Sequence, residues 1–216
     1  MKISLHAGVL SALVCLILIT GCRSTYYAAY EKVGVYKRDL LKKDVQKARD
    51  DQAGAQEQFK DAMTRLKEIT KFDGGNLEKQ YNALKQDYSG CASSVESVHK
   101  RVREVETVSA DLFAEWEKEI KEISTASLRD ASRRQLTSTR QKYEELHSAL
   151  KSAEESMDPV LHQFNDYVLY LKHNLNAQAI ASLKGETASI QNEISRLIEQ
   201  MNQSIQRADE FVKSMN

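Results

Sequence analysis

The chain has 216 residues, with 31 Lys+Arg against 31 Asp+Glu and a hydrophobic fraction of 41%. Its zero formal charge, with both signs interspersed, excludes the clustered basic excess by which a nucleic-acid binder neutralises phosphate. One proline and eight glycines, among abundant Lys, Glu, Gln, Ala, Ser and Leu, exclude a turn-rich sheet domain and point to long helices.

The chain opens on Met1-Lys2, a positive start, and runs almost wholly apolar from Val9 to Ile19. That run is too short to span a bilayer as a helix and has the length of a signal-peptide h-region. It closes on Leu18-Ile19-Thr20-Gly21-Cys22, an aliphatic residue, then small residues, then cysteine. The order resembles the box of bacterial lipoproteins. The resemblance implies a diacylglyceryl group on the Cys22 sulfur, cleavage before Cys22 and acylation of the new amine. Two or more acyl chains make such an anchor durable where one is marginal. Arg23, not Asp, follows the cysteine, which under the sorting rule of Gram-negative lipoproteins implies the periplasmic face of the outer membrane. The competing reading is a membrane-spanning signal anchor with an incidental cysteine.

Residues 1–21 are thus expected to be a removed signal peptide, 22–37 a lipidated membrane-proximal segment that begins the first helix, and 38–216 one elongated helical-bundle domain. Loss of Lys2 leaves 30 basic residues against 31 acidic. Cys15 leaves with the signal and Cys22 carries lipid, so Cys91 is left alone and no internal disulfide can form. Tyr26, Tyr27, Tyr30 and Tyr36 come after the attachment point, with Arg23, Lys32, Lys37 and Arg38 among them. Tyrosine rings favour the headgroup region and cations meet anionic lipid, so the cluster reads as membrane-lying. Equally, it reads as first helical turns packed on the bundle.

Beyond it, apolar positions recur in alternating steps of three and four, the mark of a helical seam. The first seam is Val45, Ala48, Gln52, Ala55, Phe59, Ala62, Leu66 and Ile69, with small residues that permit close approach. The second runs from Leu77 through Tyr81, Leu84, Tyr88, Cys91, Val95, Val98, Val102, Val105, Ser109 and Leu112 to Trp116. The third takes Leu136, Tyr143, Leu146, Leu150, Ala153, Met157, Leu161, Phe164, Val168, Leu171 and Leu175. The fourth takes Ile190, Ile194, Leu197, Met201, Ile205, Ala208 and Val212. The expected fold is all-α, an elongated antiparallel helical bundle or coiled-coil rod, with helices of about 60 to 75 Å.

The predicted breaks differ in strength. Asp73-Gly74-Gly75-Asn76 is a strong turn, with Asn76 placed to cap the second helix. At Ser124-Thr125-Ala126-Ser127 short hydroxyl side chains compete for backbone groups and are placed to N-cap the third. Pro159 is expected to interrupt or kink the third helix, and the in-phase seam favours a kink. The last reversal lies either at Asn174-Leu175-Asn176 or at Gly185.

Candidate chemistry is sparse. His162, Asp166, Tyr170 and His173 share roughly one helical face, but the two histidines are about 16 Å apart along the axis, too far to ligate one ion unaided. Cys91 and Trp116 occupy seam positions and read as core. No phosphate loop, nucleophile elbow or carboxylate pair is visible, so neither an enzyme nor a cofactor other than covalent lipid is expected.

The segment "LKHNLNAQAIASLKGE", with the lipobox and the helical length, resembles a proteobacterial lipoprotein family catalogued only as a domain of unknown function. The resemblance implies an exported all-helical protein and brings no catalytic residues. Within the segment, Lys172, His173, Asn174 and Asn176 suit a hydrogen-bonded helix junction or a partner-docking point, with the junction favoured. The function expected is a structural or scaffolding lipoprotein acting through its helices on itself or on an envelope partner. The alternative is a BAR-like dimer that shapes or binds a lipid surface.

Overall fold

The structure is a computed structural model, and it describes residues 27, 29–32, 34–71, 74 and 76–215. Cys22 and Tyr26 lie outside the described residues, as does the expected signal peptide. Four long helices succeed one another: α1 (Lys37–Thr70), α2 (Leu77–Glu122), α3 (Ala126–His173) and α4 (Ala177–Ser214). They have 34, 46, 48 and 38 residues. At 1.5 Å per residue α3, the longest, extends about 72 Å. Short connections fold each helix back on the one before it, and α4 returns to α1. Each helix therefore packs on two neighbours, α1 on α2 and α4, α3 on α2 and α4, in an antiparallel bundle.

The interior is built from the seams. Every position of the α1 seam is buried, Gln52 included. Phe59 of α1 and Phe164 of α3 meet across the core with ring centroids 6.5 Å apart. Nearer the other end Tyr143 of α3 stands edge-on to Phe113 of α2 at 5.4 Å and to Phe211 of α4 at 6.2 Å. Such tilted arrangements set the positive ring edge against the negative face.

On α4 the structure departs from the predicted seam. Ser204 and Phe211 are buried, whereas Ile205 is only half-buried and Val212 packs at the flank. The strict alternation of four and three continues from Met201 to Ser204, Ala208 and Phe211. Geometry, not side-chain polarity, decides which residue faces inward. The last residue of the third seam, Leu175, lies beyond the end of α3 and is exposed.

The helix ends obey local chemistry. Asn76 Oδ1 accepts from the Lys79 amide at 2.9 Å, and Asn176 Oδ1 accepts from the Ala179 amide at 2.9 Å. Each satisfies one of the amides that an α-helix start leaves unpaired. Thr125 occupies the N-cap of α3 without a side-chain bond. There the expected hydroxyl cap is missing, and the Thr125 carbonyl accepts from the Arg129 amide as the first bond of the helix, as the Asn76 and Asn176 carbonyls do from Gln80 and Ile180. Pro159 lies inside α3, which runs through it without interruption. The last reversal is at 174–176, and Gly185 is an interior residue of α4.

Polar pairs fix the register. Lys37 meets Glu115 at 2.6 Å, Arg101 meets Asp51 at 2.9 Å and Arg65 meets Asp87 at 3.2 Å. Fourteen residues, two heptads, separate Lys37 from Asp51 and Asp51 from Arg65. The same interval separates Glu115 from Arg101 and Arg101 from Asp87, so α1 and α2 keep one antiparallel register throughout. Arg49–Asp209 and Gln56–Asn202 tie α1 to α4. Between these ties lie Gln52 and Ser204, both fully buried, whose side-chain polar atoms meet no hydrogen-bonding partner.

Candidate functional site

The candidate residues fall at opposite ends of the bundle. At the end where α1 begins, residues 27 and 29–31 are helical but are not the start of α1. Gly34 takes a φ of 79°, and its amide and that of Val35 return to the carbonyls of Glu31 and Tyr30. A side chain there would be strained, so glycine ends this turn at no steric cost. Tyr27 then packs beside α2, 7% exposed, and donates its hydroxyl to Asp111 at 2.7 Å. Tyr30 packs against the core from a half-buried position, while Tyr36 is exposed. Of the two readings of the tyrosine cluster, Tyr27 fits the bundle-packing one.

Lys37 fastens this segment. Its ammonium donates to Glu115 and to Glu31 at 3.0 Å and sits 4.6 Å from the centroid of the Tyr27 ring. Burial works against its charge, but hydrogen bonds to Glu115 and Glu31 outweigh that and hold it above the ordinary lysine value.

At the same end the α2–α3 hairpin projects beyond the first turn of α1. From Glu115, level with Lys37, to the end of α2 at Glu122 is about 10 Å. The projecting tip carries Lys118, Lys121, Arg133 and Arg134, all exposed, with Leu128, 61% exposed, near its apex. The sequence reading passed over it, because a chain-wide charge balance averages out a local excess. Counting charge along residues 126–142 would have found it: five cations and one acid, Asp130.

The opposite end holds the segment singled out in the sequence. Asn174 Nδ2 donates to the Tyr170 carbonyl at 2.9 Å, and the Asn174 carbonyl accepts from the Asn176 amide at 3.0 Å. With Asn176 capping α4, these two residues form the reversal from α3 to α4. Lys172 and His173 are exposed there, beside the exposed Leu169, Tyr170 and Leu175.

His162 and His173 do not come together with a third ligand. Among the described residues no three His, Cys, Asp or Glu side chains are grouped to hold a metal ion. Cys91 is buried and unpaired, and burial, with Asp87 and Asp61 adding to it, pushes its thiol up to about 12. It is protonated and inaccessible, not a poised nucleophile.

Midway along the α2–α3 seam lies a titratable cluster that the sequence reading did not assemble. His99 Nδ1 is 2.7 Å from Glu154 Oε1, its Nε2 is 3.3 Å from Asp158 Oδ1, and Lys151 donates to Glu154 at 2.6 Å. One heptad along, His147 meets Glu106 at 2.8 Å. Burial opposes the charge on His99, but hydrogen bonds to Glu154 and Asp158 win and raise its pKa above 6.5. The arrangement is a cross-helix clasp.

Taken together, the molecule is an all-α antiparallel bundle with a strapped N-terminal segment. The family model described as protein of unknown function DUF2959 matches residues 26–215, and the chain belongs to that family. No match was found among curated proteins or among solved structures.

Proposed function

We propose that this chain is a lipoprotein held through Cys22 on the periplasmic face of a Gram-negative outer membrane, and that its bundle is a structural scaffold presenting outer helix faces to an envelope partner. The observation that carries the reading is the Leu18–Cys22 box, five residues ahead of a buried tyrosine that straps the chain to the bundle. A strap at that point passes the position of the anchor to the whole rod instead of leaving it on a loose tether. No helix among the described residues is long and apolar enough to cross a membrane, and in this reading the covalent lipid implied by the Leu18–Cys22 box supplies the attachment. The role assigned is non-enzymatic.

Both this scaffold and a BAR-like dimer would act at a lipid surface. The scaffold is preferred because the four seams are covered within one chain, and a crescent-shaped dimer needs an apolar seam for its second copy. Labelling cells with palmitate tests the anchor. Wild-type chain is expected to incorporate label and to sediment with membranes, and Cys22→Ala to lose both. Retained label in the variant overturns the reading.

A further inference from the structure

We infer that the α2–α3 hairpin tip is a second membrane contact, an interfacial foot that rests on the anionic phospholipid headgroups of the leaflet carrying the Cys22 lipid. The inference deepens the anchoring reading and rests on it. Three independent features converge on this one end of the bundle.

The first is reach. Tyr27 is fixed level with Asp111 by its hydrogen bond, and Cys22 is five residues before it, a span of at most about 18 Å. From Asp111 to the end of α2 at Glu122 is about 16 Å along the helix. The reach covers that distance, so a lipid on Cys22 and the tip of the hairpin can meet a single plane while the rod stands on it.

The second is charge. Near its apex α3 carries Arg129, Arg133 and Arg134 against Asp130 alone, in a chain whose formal charge is zero. Arg129 donates to the Ile123 carbonyl at 3.3 Å, at the C-terminal end of α2, where the helix dipole favours a cation. Arg133 reaches Asp130 only at 3.4 Å with both side chains more than half exposed, and Arg134 is exposed beside it. Basic clusters beside a leaflet draw anionic lipid.

The third is the apolar edge. Among the described residues the two most exposed large apolar or aromatic side chains are Leu128 at 61% and Tyr36 at 59%. Both are at this end, and Trp116, partly exposed, lines a recess with Tyr36. Aromatic rings with cations around them are the composition of an interfacial belt. Glu119 and Glu122 alternate with Lys118 and Lys121 on the α2 side of the tip, so the excess of cations lies on its α3 side.

The test uses the full acylated chain with Leu128→Cys or, as the distant control, Ser189→Cys, labelled with a fluorophore. Cys91 is buried with its thiol held protonated, and Cys22 is acylated, so the introduced thiol alone reacts. The chains are reconstituted on vesicles of phosphatidylcholine mixed with phosphatidylglycerol, containing a headgroup-attached quencher. Quenching at position 128 is expected to exceed that at 189 several-fold. It should fall to the level of 189 in the Arg133→Glu, Arg134→Glu background, on pure phosphatidylcholine, or at high salt. Equal quenching at both positions on chain that co-floats with the vesicles overturns the foot and leaves the anchor standing. Chain that takes up no palmitate and fails to co-float overturns both.

Discussion

At the scale of single residues, the buried polar side chains divide into those that find partners and those that do not. Glu154 is almost wholly buried and is held from both sides by His99 and Lys151. The sign of the pH response is set by His99. Its pKa is raised in the folded chain, so its contribution is complete below the ordinary histidine value of 6.5 and is lost as pH rises through the higher folded value. Wild-type chain is therefore expected to gain denaturant midpoint, relative to His99→Gln, as pH is lowered from mildly alkaline through 6.5. A difference between the two that does not change with pH would refute the clasp. Nothing in the sequence announced this pairing: His99 and Glu154 are 55 residues apart, and only the register of α2 on α3 brings them together. Gln52, by contrast, was legible as an inward position, since its place in the heptad outranks its polarity.

At the scale of helices, two kinds of contact lie within one turn of each other on α2 and differ in worth. Val98 is fully buried in the seam, whereas Arg101, three residues on, makes its pair with Asp51 at a partly exposed flank. An unpaired charge in a packed core costs about 3–5 kcal/mol, and a solvent-screened ion pair contributes under about 1 kcal/mol. Val98→Asp is accordingly expected to destabilise the chain several times more than Arg101→Ala in urea unfolding. Comparable losses would mean that the flank, not the seam, carries the α1–α2 pairing. The seams of α1, α2 and most of α3 were readable because a three-four alternation of apolar residues admits one helical face. The α4 seam slipped at Ser204, where an isoleucine beside a serine invited the apolar choice and broke the period. Cap residues were readable where the side chain itself bonds, at Asn76 and Asn176, and misleading at Thr125, which holds the N-cap position while its hydroxyl caps no amide.

At the scale of the molecule, the antiparallel arrangement is dictated by short connections: with three residues between α2 and α3, and three between α3 and α4, successive helices can only turn back. The sequence did not disclose whether the seams close within one chain or between two. The cyclic packing of α1 on both α2 and α4 supplies the internal solution, and with the apolar faces covered the chain has little to gain by pairing. Sedimentation equilibrium on the chain from Arg23 onward is expected to give a single monomeric mass across a wide concentration range. A concentration-dependent dimer would move the partner-binding faces assigned here to an interface between copies. The N-terminal strap was likewise hidden, since the hydrogen bond from Tyr27 to Asp111 spans 84 residues.

The three ion pairs between α1 and α2 have a further property in the order of their signs. Along α1 the partners read cation, anion, cation, at Lys37, Asp51 and Arg65; along α2 they read anion, cation, anion, at Glu115, Arg101 and Asp87. A heptad seam of similar residues tolerates sliding by whole heptads, because valine and alanine look much the same two turns on. Sliding by two heptads in one direction sets Lys37 against Arg101 and Asp51 against Asp87. Sliding in the other sets Asp51 against Glu115 and Arg65 against Arg101. Either way every charge that still has a counterpart meets its own sign. The three pairs thus act as a parity check on a repetitive message: weak as fastenings, they spoil the copies misaligned by two heptads that the core alone would accept.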